Sequence, residues 1–89
     1  MKNKLVSIII NCFNGEKFVS KTLQSVLSQT YKNFEVIFVD NCSTDKSAEI
    51  FKKIKDKRFK YFKTKKKMRL YEARNFALKK IKGKFISFL

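Results

Sequence analysis

The sequence predicts an α/β fold, in which a parallel sheet of about four strands lies between helices in a three-layer structure. Two apolar runs, residues 6–10 and 35–39, each stop at polar turn residues and lead into a helical pattern. Continuous runs of Val, Ile and Phe are typical of strands buried on both faces of a parallel sheet. Alternation of such strands with helices favours right-handed crossover connections.

The first strand is predicted over residues 5–10 and the first helix over residues 16–29. Asn14 is a candidate N-cap, and Glu16 lies in the first turn, where the helix dipole favours an acid. A stripe of side chains at helical spacing predicts the buried face. Its members are Phe18, Val19, Thr22, Leu23, Val26 and Leu27.

The second strand is predicted over residues 35–39 and the second helix over 45–55, capped by Ser43 or Thr44. Its inner face would carry Ala48, Phe51 and Ile54. In residues 59–63, the side chains of Phe59, Tyr61 and Lys63 alternate with those of Lys60 and Phe62. This alternation predicts a short strand near a sheet edge.

A third helix is predicted over residues 70–82, with Gly83 in the position that often ends a helix. Its inward residues would be Leu70, Ala73, Ala77, Leu78 and Ile81. Residues 84–89 would form a fourth strand.

The positive charge of the chain is concentrated in its second half. The formal net charge is +15 over 89 residues. Residues 1–51 contribute only +1, whereas residues 52–89 carry sixteen Lys and Arg against two acids. Such a surface is suited to phosphate, nucleic acid or an anionic membrane.

Composition excludes several classes of site. Two cysteines and no histidine fall short of the four ligands of a structural zinc site. We expect Cys12 and Cys42 to be small reduced thiols in a reducing cytosol. With only Gly15 and Gly83, the chain lacks both the dinucleotide fingerprint and the P-loop. A nucleotide would instead be held by side chains at the strand ends, where parallel sheets bind ligands.

Several short segments, in order along the chain, closely resemble the amino-terminal half of the family 2 glycosyltransferases of GT-A fold. They are Val6-Ser7-Ile8-Ile9-Ile10 with Phe13-Asn14, Leu23-Gln24-Ser25-Val26-Leu27-Ser28-Gln29-Thr30-Tyr31, Asn33-Phe34-Glu35, Val39-Asp40-Asn41-Cys42-Ser43-Thr44-Asp45 and Ala73-Arg74-Asn75. The resemblance covers nearly the whole chain and implies a Rossmann-like partial GT-A fold that binds the nucleotide of an activated sugar, commonly a UDP-sugar.

The resemblance also implies a set of nucleotide-binding residues. Phe13 matches an aromatic position that packs against the base, and Asn11 and Asn14 flank it in the same loop. Asp40 and Asn41 match the acidic pair that helps to hold base and ribose, although Asn41 replaces the commoner second Asp. Arg74 would orient the diphosphate or brace an acid of the site. Alternatives remain open: Phe13 as a core aromatic, Asp40 as a brace of its turn, and Arg74 as a surface residue.

In the family, the strand matching residues 85–89 leads into an Asp-x-Asp motif whose carboxylates hold Mg²⁺ or Mn²⁺ on the diphosphate. The sequence ends at Leu89, before such a motif. We therefore expect the metal ligands and the catalytic residues to lie outside residues 1–89. The chain would be the truncated donor-nucleotide half of an enzyme that transfers a sugar to an acceptor hydroxyl, with inversion by direct displacement, and would be inactive alone.

We also expect the protein to be cytoplasmic, with its basic surface at the inner face of a membrane, and to self-associate through an unpaired sheet edge. Two other classes of function remain. One is a basic nucleic-acid-binding module, for which Phe59, Tyr61 and Phe62 interleaved with lysines would supply stacking. The other is an inactive structural fragment with no ligand.

Overall fold

The computed structural model describes residues 4–89, which form a four-stranded parallel sheet with helices on both faces. The elements in chain order are β1 (Val6–Cys12), α1 (Glu16–Ser28), β2 (Phe34–Asp40), α2 (Ser47–Lys52), β3 (Phe59–Lys63), α3 (Leu70–Leu78) and β4 (Phe85–Phe88). The spatial order of the strands is β3-β2-β1-β4, and every neighbouring pair is parallel. The predicted three-layer α/β architecture is confirmed.

The core consists of two layers, one on each face of the sheet. Helices α1 and α2 cover the first layer, which is built from alternate residues of β1 and β2 with Val19, Leu23, Val26 and Phe51. Helix α3 covers the second layer, where Ala73 and Ala77 pack against Ile9, Ile37 and Val39. The small alanines let α3 approach the sheet closely.

Two helices are shorter than the sequence predicts. Helix α2 covers only Ser47–Lys52, and α3 ends at Leu78 rather than at residue 82. After α3, the N–H groups of Lys82, Gly83 and Lys84 bond to Glu35, Ser7 and Leu5. These tertiary hydrogen bonds take the place of further helical ones.

Gly83 therefore does not end the helix, contrary to the prediction. It lies against β1, where an added Cβ would stand 2.5 Å from Ser7 Oγ and 2.7 Å from Leu5 O. A hydrogen in place of a side chain permits this close approach, which leads the chain into β4.

The predicted helix caps are also wrong in detail. Gly15, not Asn14, is the N-cap residue of α1, and Lys46 is that of α2. The N–H groups at the start of α1 are bonded by residues around the start of α2 instead, since Gly15 N–H donates to Ser47 Oγ and Glu16 N–H to Asp45 Oδ2. Glu16 in turn accepts a hydrogen bond from Lys46 N–H at 2.8 Å.

Some residues of the predicted helix stripes are exposed. Phe18 on α1 is 70% exposed, and Leu70 at the start of α3 is 56% exposed. Leu27 and Leu78 are also exposed. The periodicity identified the correct helix faces but overestimated their width.

A buried polar cluster, called here the amino-edge network, ties the starts of the strands together. Glu35 is 3% exposed and accepts hydrogen bonds from Ser7 Oγ, Lys60 Nζ and Lys82 N–H at 2.6, 2.9 and 2.6 Å. Ser7 Oγ in turn accepts from Gly83 N–H. Burial raises the pKa of Glu35, but these hydrogen bonds outweigh it and hold the pKa below 4.5.

No helix within residues 4–89 is long and apolar enough to cross a bilayer.

Candidate nucleotide site

The predicted site residues lie where the parallel strands end, at the carboxyl edge of the sheet. Cys12 pairs with Asp40, and Asp40 pairs with Lys63, so β1, β2 and β3 end together. Asn41 N–H donates to Cys12 O at 2.7 Å and extends the pairing by one residue. The loops that follow these strands are therefore neighbours.

Asn11 carries an unpaired buried acceptor at this edge. Side chains alternate along a strand, so Asn11 shares the face of Ile9, which is the face that α3 covers. Its Oδ1 is buried and has no hydrogen-bond partner among residues 4–89. An unsatisfied buried acceptor costs about 1–3 kcal/mol, so any donor that reached this oxygen would be stabilising.

Phe13 is presented to solvent rather than packed in the core. The side chain is 48% exposed at the end of β1. Lys67 Nζ lies 3.6 Å from the ring centroid, in a cation–π contact. The core-aromatic alternative for Phe13 does not fit this position.

Asn14 braces the turn after β1. It has a φ of 51°, in the left-handed region that Asn tolerates better than most residues. Its Oδ1 accepts from Thr44 N–H at 2.7 Å, and its N–H donates to Ser43 Oγ at 2.9 Å. These bonds join the loops after β1 and β2.

The carboxylate of Asp40 lies inside the protein, with 1% of the residue exposed. Ser43 N–H donates to Oδ1 at 3.0 Å, and the Tyr61 hydroxyl donates to Oδ2 at 2.5 Å. Burial, and after it the bond to Asp40, raise the pKa of Tyr61, which keeps its proton. This geometry fits the alternative in which Asp40 braces its turn.

Asn41 clamps the loop between β3 and α3. Its Nδ2 donates to Met68 O and its Oδ1 accepts from Met68 N–H, both at 2.7 Å. Thr64 Oγ1 adds a bond of 3.3 Å to the same Oδ1. An aspartate could accept the bonds from Met68 N–H and Thr64 Oγ1, but it could not donate to Met68 O. The amide therefore suits this loop.

Arg74 lies on α3, near the end of β4. Its guanidinium carbon is 5.1 Å from the ring centroid of Phe88, and Phe88 pairs with Ile9 of β1. Arg74, Phe88 and Asn11 therefore belong to the same face of the sheet.

The structure thus divides the six predicted residues into two groups. Among residues 4–89, Asn11 Oδ1 has no hydrogen-bond partner. The Phe13 ring contacts the Lys67 ammonium, and the Arg74 guanidinium contacts the Phe88 ring. Asn14, Asp40 and Asn41 hold the loops together. Sequence reasoning missed Tyr61 and Met68 as partners of Asp40 and Asn41, and it did not separate Lys67 from the other lysines of its run.

A cleft of about 210 Å³ opens beside Phe13, between β1 and α1. Phe18, Phe38 and Leu89 are among its walls. It is mainly apolar and adjoins the end of β4.

The carboxyl edge offers no donor set for the divalent metal that the resemblance implies. Within residues 4–89, no three His, Cys, Asp or Glu side chains are grouped as a metal site would require. The carboxylates of Asp40 and Asp45 are engaged with Tyr61, Ser47 and neighbouring N–H groups. These residues do not fit a metal centre.

Comparisons with known proteins agree on one family for this chain. The profile of the family described as "Glycosyl transferase family 2" matches residues 7–89. The Escherichia coli protein "UDP-Glc:alpha-D-GlcNAc-diphosphoundecaprenol beta-1,3-glucosyltransferase WfaP" is 46% identical over 86 residues, which are 97% of this chain and 34% of that protein. The chain thus spans about a third of the length of this relative.

Solved structures share the fold. Staphylococcus aureus TarS 1-349 in complex with UDP-GlcNAc superposes with a TM-score of 0.86 at 32% identity, over 94% of this chain and 25% of that one. A Pyrobaculum calidifontis mannosyltransferase, in complex with GDP-Man and Mn²⁺, gives a TM-score of 0.85 at 22% identity, over 91% of this chain and 25% of that one. The second likeness concerns the fold alone. The family match does not support the alternative of a nucleic-acid-binding module.

Proposed function

Because this chain belongs to glycosyl transferase family 2, we propose that its carboxyl edge binds the nucleoside diphosphate of a nucleotide-sugar donor. The whole protein would transfer the sugar to an acceptor hydroxyl, with inversion by direct displacement. UDP is the first candidate, since WfaP is named for UDP-Glc and TarS was solved with UDP-GlcNAc.

The observation that carries this proposal is the unpaired Oδ1 of Asn11. It is a buried acceptor two residues before Phe13, whose ring is exposed. A planar base stacked on Phe13 would gain about 1–3 kcal/mol, as bases stacked on aromatic side chains do in nucleic-acid complexes. A ring N–H or a ribose hydroxyl of the same ligand would then donate the hydrogen bond that Asn11 Oδ1 lacks.

The remaining predicted residues take different roles in the proposal. Arg74, on the α3 face, contributes a guanidinium that matches the fork of a diphosphate. Asp40, Asn41 and Asn14 chiefly position the loops, because their side-chain oxygens already accept hydrogen bonds from Tyr61, Met68 and Thr44.

Calorimetric titration with UDP, dTDP and GDP tests the proposal. We expect binding of one of these ligands, and a loss of at least tenfold in Phe13→Leu and in Asn11→Ala. Mn²⁺ should leave the affinity of this chain unchanged, since residues 4–89 offer no cluster of metal ligands.

Matched controls separate the site from general effects. Phe85 has the same 48% exposure as Phe13 but lies at the opposite end of the sheet, at the start of β4. Phe85→Leu and Asn33→Ala should therefore bind like the unaltered chain. Equal, salt-sensitive binding of every nucleotide and of an unrelated polyanion would contradict the proposal.

We further propose that the basic surface rests on the inner face of a membrane. An open groove of about 820 Å³ lies between β3 and α3. Its apolar floor includes Phe62, Met68 and Phe76, and its rim carries Lys63, Lys65, Lys66 and Lys80. Among residues 4–89, none of these four lysines has an ion-pair partner, so they suit the phosphates of anionic lipids.

Vesicle flotation tests the membrane proposal. The chain should float with vesicles that contain phosphatidylglycerol and not with phosphatidylcholine alone. Lys65→Glu with Lys80→Glu should abolish flotation, whereas Lys17→Glu with Lys21→Glu, the same charge change on α1, should not. Equal losses in the two double variants would show that only net charge matters and would contradict a role for the groove.

Finally, we propose that the chain self-associates through β4. Within residues 4–89, β4 pairs with β1 alone, and Phe85, Ile86 and Phe88 are exposed. An apolar edge strand of this kind is a template for pairing with a second copy. Light scattering should report a dimer, and Ile86→Lys should return it to a monomer. A monomer at high concentration would contradict the proposal.

A further inference from the structure

The contact between Lys67 and Phe13 places an ammonium group where a stacked base would lie. Carbon atoms in contact stand about 3.5–4.0 Å apart, and Lys67 Nζ is 3.6 Å from the centre of the Phe13 ring. The ammonium and a base therefore cannot share this face of the ring.

The loop that carries Lys67 is held in place rather than loose. Asn41 bonds both the N–H and the carbonyl of Met68, the next residue along the chain, at 2.7 Å. Thr64, at the other end of the loop, donates its N–H to Asp40 O at 3.0 Å. The backbone of Lys67 is thus fixed from both sides, while its exposed side chain keeps its rotamer freedom.

We propose that Lys67 covers Phe13 in the empty site and is exchanged for the base when a nucleoside diphosphate binds. The displaced ammonium then pairs with the phosphates of the same ligand. A nucleoside without phosphates must also break the cation–π contact, but it offers the displaced ammonium no phosphate to pair with. Lys67 therefore makes the site select diphosphates over nucleosides. This inference rests on the proposed function.

Neighbouring lysines do not share this position. Lys65 and Lys66 line the groove between β3 and α3, whereas Lys67 is directed to Phe13. Lys66→Met is therefore a matched control for Lys67→Met, because it makes the same change of charge and side chain in the same loop.

Titration of the chain with uridine and with UDP tests the inference. Exposed cation–π contacts are worth about 0.5–1 kcal/mol, so Lys67→Met should bind uridine roughly two- to fivefold more tightly. The same variant should bind UDP more weakly, so its preference for UDP over uridine should fall. Lys66→Met should keep the preference of the unaltered chain.

Proton NMR gives a second readout, of the contact itself. The Lys67 ε-methylene protons should resonate upfield in the free chain, and both UDP and Phe13→Leu should remove this shift. If UDP binds but the preference falls equally in Lys67→Met and Lys66→Met, the inference is overturned and the proposed function stands. If the unaltered chain binds neither uridine nor any nucleoside diphosphate, both are overturned.

Discussion

The two ends of the sheet treat their polar groups in opposite ways. At the amino edge, Glu35 accepts three hydrogen bonds and Ser7 accepts one, so the buried oxygens of this network are all paired. At the carboxyl edge, Asn11 Oδ1 is buried and unpaired within residues 4–89, and Phe13 is exposed. Both ends belong to the same strands.

The difference separates polar groups that hold the fold from those that a ligand would complete. The amino-edge network connects β1, β2, β3 and the residues before β4, and it leaves nothing for a ligand. At the carboxyl edge, Asp40 and Asn41 form hydrogen bonds that support the loops, whereas Asn11 Oδ1 has no hydrogen-bond partner among residues 4–89. Removing the side-chain oxygens of Glu35 at one end and of Asn11 at the other should therefore change stability in opposite directions.

The largest expected effect is at Glu35. Glu35→Ala removes the shared acceptor and leaves Ser7, Lys60 and the N–H of Lys82 without it. Since each buried unpaired group costs about 1–3 kcal/mol, we expect a loss of about 3–5 kcal/mol in urea unfolding. Glu49→Ala, at an exposed acid on α2, is the control and should change stability little. Similar losses in both variants would contradict a special role for the network.

A smaller loss of stability is expected when either glycine is replaced by alanine. An added methyl group at Gly83 would overlap Ser7 Oγ and Leu5 O, whereas at Gly15 it would meet Cys12 Sγ at 3.1 Å and Val19 Cγ2 at 3.7 Å. Overpacking typically costs about 1–3 kcal/mol, so Gly83→Ala should lose that much and Gly15→Ala clearly less. Thermal unfolding of both variants would measure the order, and a reversed order would refute the comparison.

A substitution at Asn11 should raise the free energy of unfolding, whereas those at Glu35 and the glycines lower it. Asn11→Val removes the unpaired oxygen and places a β-branched side chain in a strand. We expect a gain of about 1 kcal/mol in the free energy of unfolding, together with loss of nucleotide binding. A stability gain alongside unchanged binding would mean that the open acceptor serves no ligand.

The pH dependence of stability is the finest test of the amino edge. The pKa of Glu35 is lowered from 4.5 in the folded chain. Its contribution is therefore complete above pH 4.5 and is lost as the pH falls through the lower folded value. Urea unfolding below pH 4.5 should lose stability more steeply in the unaltered chain than in Glu35→Gln, and equal slopes would count against the role of Glu35. Asp56 also has a lowered pKa, because of Arg58, so both chains should retain part of the slope.

Local sequence patterns predicted most of the fold. The spans of β1, β2 and β4 differ from the predicted ones by one or two residues at each end, and β3 agrees. The position of β3 at an edge of the sheet also agrees. These features follow from hydrophobic runs and their period, which depend only on neighbouring residues. The end of α3 does not follow from such local patterns, because the residues after it form hydrogen bonds to distant strands.

The site was predicted in part. The resemblance selected Asn11, Phe13, Asn14, Asp40, Asn41 and Arg74, and the structure places them at or near one edge of the sheet. Whether the six bind a ligand stays a prediction. Sequence could not distinguish Asn11, whose acceptor is open, from Asp40, whose carboxylate is paired with Tyr61 across 21 positions of the chain.

By itself, the sequence determined the alternation of strands and helices, the parallel sheet and the strand ends at which polar residues gather, because these depend on local periodicity and on connection rules. Only the tertiary structure decided which polar groups are already satisfied. Asp40 finds Tyr61, Asn41 finds Met68 and Lys67 finds Phe13 through contacts between separate elements. A hydrogen bond or a ring contact needs a partner within a few ångströms, and that distance is set by the packing of the whole chain.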